Sequence, residues 1–315
     1  MPFRFQRMTM STKLIKDRKR ITTAGERKVN EASTAVKSRL QIGNLQENSL
    51  SRQDKTAIIY KYKITLEYDG TNYSGWQKQN NAKSIQGALI TAAQNFFDAP
   101  VEIQGAGRTD AGVHALAQVA HLEAAKKINP ATLQMGINDN LPASINILHV
   151  ENAPLRFHAR HSAVSRSYLY LIARRRTAFG KRYVWWIKDN LDIKKMQQAI
   201  HVFAGFHDFS SFADKRMDKD ASTQVNIENV QLKEFDDLIA VRVTGSHFLW
   251  KMVRRIIGIA VEAGRGKFTI SDIEQMINSH TDIPAQFTAP PSGLYLEKVL
   301  YEGDTMPEMK LPIYL

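Results

Sequence analysis

Apolar positions show no sustained period over residues 1–56, and then fall into order. IIYKYKITLEYDG, residues 58–70, alternates around β-branched and aromatic residues, which predicts a strand ending at Asp69–Gly70. In SIQGALITAAQNFFD, residues Ile85, Leu89, Ala92, Ala93 and Phe96 take helical spacing behind Ser84, a predicted N-cap. VEIQGAG predicts a strand. VHALAQVAHLEA predicts another, with Val113, Ala115, Ala117, Val119 and His121 on one face and the alternate residues on the other. NPATLQMGINDNLP predicts a short helix entered through Pro130, and SINILHVENA and SRSYLYLIARRR predict two more strands.

The remainder repeats this mixture. DIKKMQQAIHVFAG predicts a helix closed by Gly205, and QVNIENVQLKEF with DLIAVRVTGS a hairpin through Asp236–Asp237. HFLWKMVRRIIGIAVEAG predicts a long, mostly apolar helix closed by Gly264. SDIEQMINSH predicts a helix capped by Ser271, and GLYLEKVLY a final strand. The fold class is therefore α/β in the α+β sense, with two α/β halves and mixed sheets. Pro154 to Ser162 is the expected crossing between them. The expected division is a leader over 1–57, halves over 58–157 and 158–303, and a tail over 304–315.

Charge changes this picture once it is divided. The formal charge is +12, but residues 1–56 hold 13 Lys+Arg against 5 Asp+Glu, a net of +8. The rest holds 30 against 26, so the folded body is only mildly basic. A polyanionic partner is weakly favoured, and ordinary surface lysines explain the body equally well. The leader reads as disordered or loosely helical, with a basic cluster KDRKR at 16–20. It lacks the apolar run of a secretory signal, and its five acids argue against an organelle transit peptide. No stretch has the apolar length of a membrane helix, so no membrane partner is expected. Cysteine is absent, which excludes thiolate metal sites and cysteine nucleophiles and fits a reducing, cytoplasmic setting.

The chemistry concentrates at GAGRTDAGVHA, Gly105 to Ala115. A dinucleotide fingerprint would need glycine where Asp110 stands and a helix where the pattern predicts a strand. GRGKFT, residues 264–269, fails as a P-loop, with Val261 at the first glycine position and Phe268 at the Ser/Thr position. There is no G-x-S-x-G elbow and no H-E-x-x-H. His158 and His161 fall three apart on a predicted strand, hence on opposite faces, so no metal site is expected. Asp110 reads either as a turn aspartate bonding its own backbone or as a carboxylate aimed into a cleft. Glycines at 105, 107 and 112 would let a ligand approach the backbone, and Arg108 would pair with a phosphate or ribose edge.

GRTDAGVHA resembles the signature loop of the TruA-type tRNA pseudouridine synthases. YDGTNYSGWQKQ, SIQGAL, GINDNLP, FHARHSAVSRSYLY, FHDFSSF, FLWKMVRRIIG and APPSGLYL resemble further blocks of that family, in family order from about Tyr62 to Tyr301. The leader lies outside the resemblance.

The resemblance implies the pseudouridine synthase fold, two similar halves sharing a mixed, mostly antiparallel sheet with a catalytic cleft between them. It implies isomerisation of uridine to pseudouridine in the anticodon stem-loop of tRNA, at positions 38, 39 and 40, with no cofactor and no metal. The family's catalytic aspartate falls on Asp110, its base-flipping arginine on Arg108 and its base-stacking tyrosine on Tyr168. The arginine that pairs with the acid falls on Arg254, and an apolar pocket residue on Leu294. On periodicity alone Arg255 competes with Arg254, and Tyr168 and Leu294 also read as core strand residues. A homodimer sharing one tRNA is implied. ARRRTAFGKRY (173–183) and DKRMDK (214–219) are the candidate phosphate contacts. Many relatives carry a Thr-x-Arg pattern where this chain has Thr223, Gln224 and Val225, which leaves a contact there in doubt. Two rival readings are a catalytically silent RNA-binding relative and an unrelated nucleotide-binding enzyme. Loss of isomerisation in Asp110→Asn separates the first, and saturable binding of a free nucleotide the second.

Overall fold

A computed structural model describes residues 60–217 and 222–313, so the expectations for the leader lie outside the described residues. Ile59–Leu315 forms one compact unit. The strands are β1 (Tyr60–Tyr68), β2 (Glu102–Gly105), β3 (His114–Ala124), β4 (Ile145–Ala153), β5 (Ser165–Ala173), β6 (Trp185–Trp186), β7 (Gly205–Asp208), β8 (Gln224–Phe235), β9 (Leu238–Gly245) and β10 (Leu294–Leu300). The helices are α1 (Ile85–Phe97), α2 (Pro130–Asn138), α3 (Ile193–His201), α4 (Met252–Gly264), α5 (Ile270–Asn278) and α6 (Ile283–Gln286).

One sheet runs β4-β1-β3-β10-β5-β9-β8-β7, with β2 beside β3 and β6 beside β5. Its pairs are antiparallel except β10 with β3 and β5 with β6, which makes it mixed and mostly antiparallel as expected. The parallel β10–β3 contact, Tyr295 to His114 and Leu296 to Ala115, joins the first half of the chain to the second.

Period two along β5 shows where the cores lie. Tyr170 and Ile172 belong to a core with α3, α4 and α5, whereas Leu169, Leu171 and Ala173 face the other way and pack with Tyr295 and Met309 of the tail. On β10, Leu294 joins the first of these cores, and Leu296 joins a third cluster formed with α1, α2, β1, β3 and β4. Tyr168 touches both helix-backed clusters. The helical cover therefore parts along a seam at Tyr168, Leu294 and Leu296.

Several element ends differ from the sequence pattern. Helix α5 is capped by Thr269, not Ser271: Thr269 Oγ1 accepts from Asp272 N at 3.2 Å, and the Asp272 carboxylate accepts from Thr269 N at 2.8 Å. Two threonine/serine candidates stand close together, each with an acid three residues on, Asp272 for Thr269 and Glu274 for Ser271, so spacing alone does not separate them. Helix α3 ends before Gly205, which instead opens β7. His158 and His161 are not on a strand; their chain turns, and the rings lie 4.3 Å apart.

That turn leans on imidazole nitrogens. Ala159 N donates to His121 Nδ1 at 3.1 Å, and Arg160 N and His161 N donate to His158 Nδ1 at 3.2 and 3.3 Å. Burial pushes His121 down to about 4, aided by the neighbouring His158 and Lys61 and opposed by Glu123 and Glu102. The folded value lies below the unfolded one, so this contribution is complete above about pH 6.5 and is lost as pH falls towards 4. Urea unfolding at pH 7.5 and at pH 4.5 checks it: His121 alone should account for a loss of about 2–3 kcal/mol between them, and His121→Gln should flatten the dependence.

Candidate functional site

The Asp110 loop lies between β2 and β3, and backbone groups along it are tied to neighbouring segments. Ala106 N donates to Val119 O at 2.7 Å, Gln118 Nε2 to Gly107 O at 3.0 Å, Trp76 N to Thr109 O at 3.0 Å, and Val113 N to Asp110 O at 3.1 Å. The Tyr68 and Thr109 hydroxyls bond at 2.8 Å. Gly75, at φ +96°, permits the close passage of the 68–79 turn, since a Cβ there would lie 2.5 Å from Thr109 O. The turn after β1 is thus the cradle of the acid loop, a role its sequence does not announce.

Helix α4 supplies the counter-charge. Arg254 Nη1 donates to Asp110 Oδ2 at 3.1 Å, and its Nε donates to Ala289 O at 2.7 Å. Ala289 N in turn donates to Arg254 O at 3.0 Å. One turn on, Gly258 lets the 287–289 segment reach the helix, because a Cβ would fall 1.5 Å from Phe287 O. The side chains of Arg254 and Asp110 keep 13% and 22% exposure, so the pair is sheltered but reachable. Arg255 turns away: it is buried and donates from Nη1 to Ala213 O, and its Nε has no partner among the described residues.

Tyr168, on β5, stands edge-to-face against Phe248 at 5.1 Å. Burial first, then the nearby Asp110 charge, push its hydroxyl up to about 12, against the opposing Arg166. It therefore keeps its proton at neutral pH. Leu294 is 5% exposed at the seam, paired with Tyr170, while Leu296 lies opposite Tyr168. Arg108 is exposed and has no acidic partner within 4.0 Å among the described residues. The structure thus brings Asp110, Arg254 and Tyr168 together, sets Leu294 beside them and leaves Arg108 on the rim.

Arg166 is a positioning residue that sequence reasoning missed. Its guanidinium donates to the carbonyls of Ala163, Ser246, Ala106 and Arg160 at 2.7 to 3.3 Å. It ties the acid loop to the 158–163 turn and to the segment leading into Phe248. No local motif marks such a bridge, since its acceptors are backbone groups up to 80 residues away. Among the described residues no group of His, Asp and Glu has the arrangement of a metal site.

The basic segments are partly neutralised. Lys215 pairs with Asp282 at 2.7 Å and Arg216 with Asp214 at 3.0 Å; Arg174 pairs with Glu234 at 2.6 Å and Arg175 with Asp237 at 2.5 Å. Arg176, Lys181 and Arg182 have no acidic partner among the described residues, and Phe179 beside them is 96% exposed.

Comparison with known proteins agrees with this geometry. The family model described as tRNA pseudouridine synthase matches residues 64–162 and 199–302. The chain is 37% identical over 250 residues to tRNA pseudouridine synthase A of Thermodesulfovibrio yellowstonii, covering 76% of this chain and 98% of the relative. It is 38% identical over 246 residues to the protein of that name from Bartonella tribocorum (76% and 99%), and 39% identical over 249 residues to that of Beijerinckia indica (78% and 95%). A solved archaeal box H/ACA sRNP Nop10-Cbf5 complex aligns at 10% identity and TM-score 0.33, over 73% of this chain and 59% of that one, a likeness on which nothing further rests. The chain belongs to the tRNA pseudouridine synthase family and is an isomerase that converts uridine to pseudouridine in tRNA.

Proposed function

We propose that this chain acts on the anticodon stem-loop of tRNA, at uridines 38, 39 and 40, with Asp110 as the acting carboxylate. The observation that carries the reading is the Arg254–Asp110 contact at 3.1 Å, at the seam where two helix-backed cores part. The reaction breaks the bond from ribose C1′ to base N1, turns the base and joins C1′ to C5; N1 gains a proton and C5 loses one. Atoms and electrons balance without an oxidant or reductant. Asp110 acts as nucleophile or as base, and Arg254 holds its carboxylate in place.

The stacked target base must leave the helix to reach this seam. Arg108, on the rim, holds the vacated space, Tyr168 stacks on the extruded uracil and donates from its hydroxyl, and Leu294 supplies an apolar wall. Phosphate contacts come from Arg176, Lys181 and Arg182, with Phe179 as an exposed aromatic among them. The halves are 58–157 and 158–303. A homodimer would assemble a wider basic surface from a mildly basic body, in a cytoplasmic setting.

The test uses unmodified tRNA transcripts carrying a single anticodon-arm uridine at 38, 39 or 40, with pseudouridine mapped by chemical labelling. Conversion at these three positions and not elsewhere in the arm is expected. Conversion only outside the arm would overturn the assignment of substrate position.

A further inference from the structure

We propose that a cavity beside the acid loop is a second nucleotide subsite, which receives a nucleotide of the tRNA next to the extruded uridine. This rests on the proposed function. The cavity measures about 440 Å³, within the range of sites that enclose small ligands. Its walls come from five places: the 68–79 turn gives Gln77, α1 gives Ile90, the residue before β2 gives Val101, the acid loop gives Gly107 and Arg108, and the 158–160 turn gives Arg160. Asp110 does not line it, so it is distinct from the seat of the reacting base.

Three observations point to a nucleotide. First, the lining has a division of labour. Ile90 and Val101 offer apolar surface to a base, and Gln77 offers an amide group to its edge. Second, two guanidiniums, Arg108 and Arg160, stand on the cavity without an acidic partner within 4.0 Å among the described residues. One carboxylate, Glu102, also lines it; it accepts from Gln104 Nε2 at 2.6 Å, a bond that does not cancel its charge, and the two guanidiniums still outnumber it. Cations left unmatched at the mouth of a concavity suit a phosphate.

Third, Gly107 is a glycine for no reason of the fold. Its φ is not in the left-handed region, and a Cβ built on it would meet nothing within 4 Å. The other two glycines expected to admit a ligand differ: a Cβ on Gly105 would lie 2.5 Å from the Trp76 ring, and Gly112 has φ +77° beside Pro291. The space in front of Gly107 is therefore open, and Gly107 lines the cavity.

Arg166 couples the two sites. It holds the carbonyls of Ala106 and Arg160 together, so the wall that carries Arg160 and the loop that carries Asp110 keep one spacing. A nucleotide seated in the cavity would fix the register of the strand relative to Asp110.

The experiment fills the cavity from two independent walls, with Gly107→Leu from the loop and Val101→Trp from the residue before β2, and removes one charge with Arg160→Gln. Each full-length variant is checked for wild-type thermal unfolding. KM and kcat are then measured with an unmodified tRNA transcript, and tRNA affinity by filter binding across a salt series. Both filled variants should raise KM about 10-fold or more, with kcat at saturating tRNA within about twofold of wild type. Arg160→Gln should lower the slope of log affinity against log salt by about one. A folded filled variant with wild-type KM and affinity overturns the subsite, as does a loss confined to kcat. Wild-type protein that forms no pseudouridine would sink the proposed function instead, and the binding series would still decide the cavity.

Discussion

Asp110→Asn is expected to abolish pseudouridine formation while tRNA binding persists. The change is nearly isosteric. The loop around it is held by the hydrogen bonds of Thr109 O, Gly107 O and Ala106 N, none of which uses the carboxylate. Arg254 keeps its bond to Ala289 O, so the helix and the 287–289 segment stay together. What disappears is the anionic oxygen 3.1 Å from Arg254 Nη1. An amide is neither a nucleophile nor a base near neutral pH, so the turnover rate should fall on the order of 10³-fold or more. Affinity for tRNA is carried largely by phosphate contacts, and removing a negative charge beside a polyanion leaves it unchanged or slightly tighter. Single-turnover labelling and filter binding on one transcript read the two quantities together. Parallel loss of both would mean that the substitution had damaged the fold.

The largest effect on stability is expected at Glu297. Arg242 and Glu297 are 3% and 9% exposed on the sheet face away from Tyr168. Glu297 Oε2 accepts from Arg242 Nε at 2.8 Å and from Ser167 Oγ at 2.9 Å, and Arg242 Nη2 donates to Oε1. Arg242 Nη1 also donates to Pro307 O at 3.0 Å, which draws the tail over the sheet. Glu297→Ala would strand a guanidinium in a dry site, at a cost of about 3–5 kcal/mol. Replacing both members, with Glu297→Leu and Arg242→Met, should cost less than Glu297→Ala alone, because the penalty lies in the orphaned charge. Urea unfolding of the three proteins checks it through midpoints at constant slope.

The hydrophobic pattern places the main strands and helices because each buries one face, and burial writes its period into the chain. Strand β6 escapes because two residues are too few to carry a period, and β7 because none of its four residues is buried. The turn at 158–162 escapes because its bonds run to His121 Nδ1, which looks like any other residue of an alternating strand. The site divides in the same way. Asp110, Arg254, Tyr168 and Leu294 stand in recognisable motifs, and the fold brings them to one seam. Arg166 and Gly258 act through backbone atoms distant in sequence, and Gly107 through a missing side chain beside an open space. None of these leaves a local pattern.

The central claim is that the position of one carboxylate, set by the acid loop and by Arg254, makes this seam an active site. Asp110→Glu tests it most directly, since charge is kept while the oxygens move outward by one methylene. At saturating tRNA, the single-turnover rate of pseudouridine formation should fall about 100-fold or more, with affinity unchanged. A rate equal to that of the wild type would contradict the account.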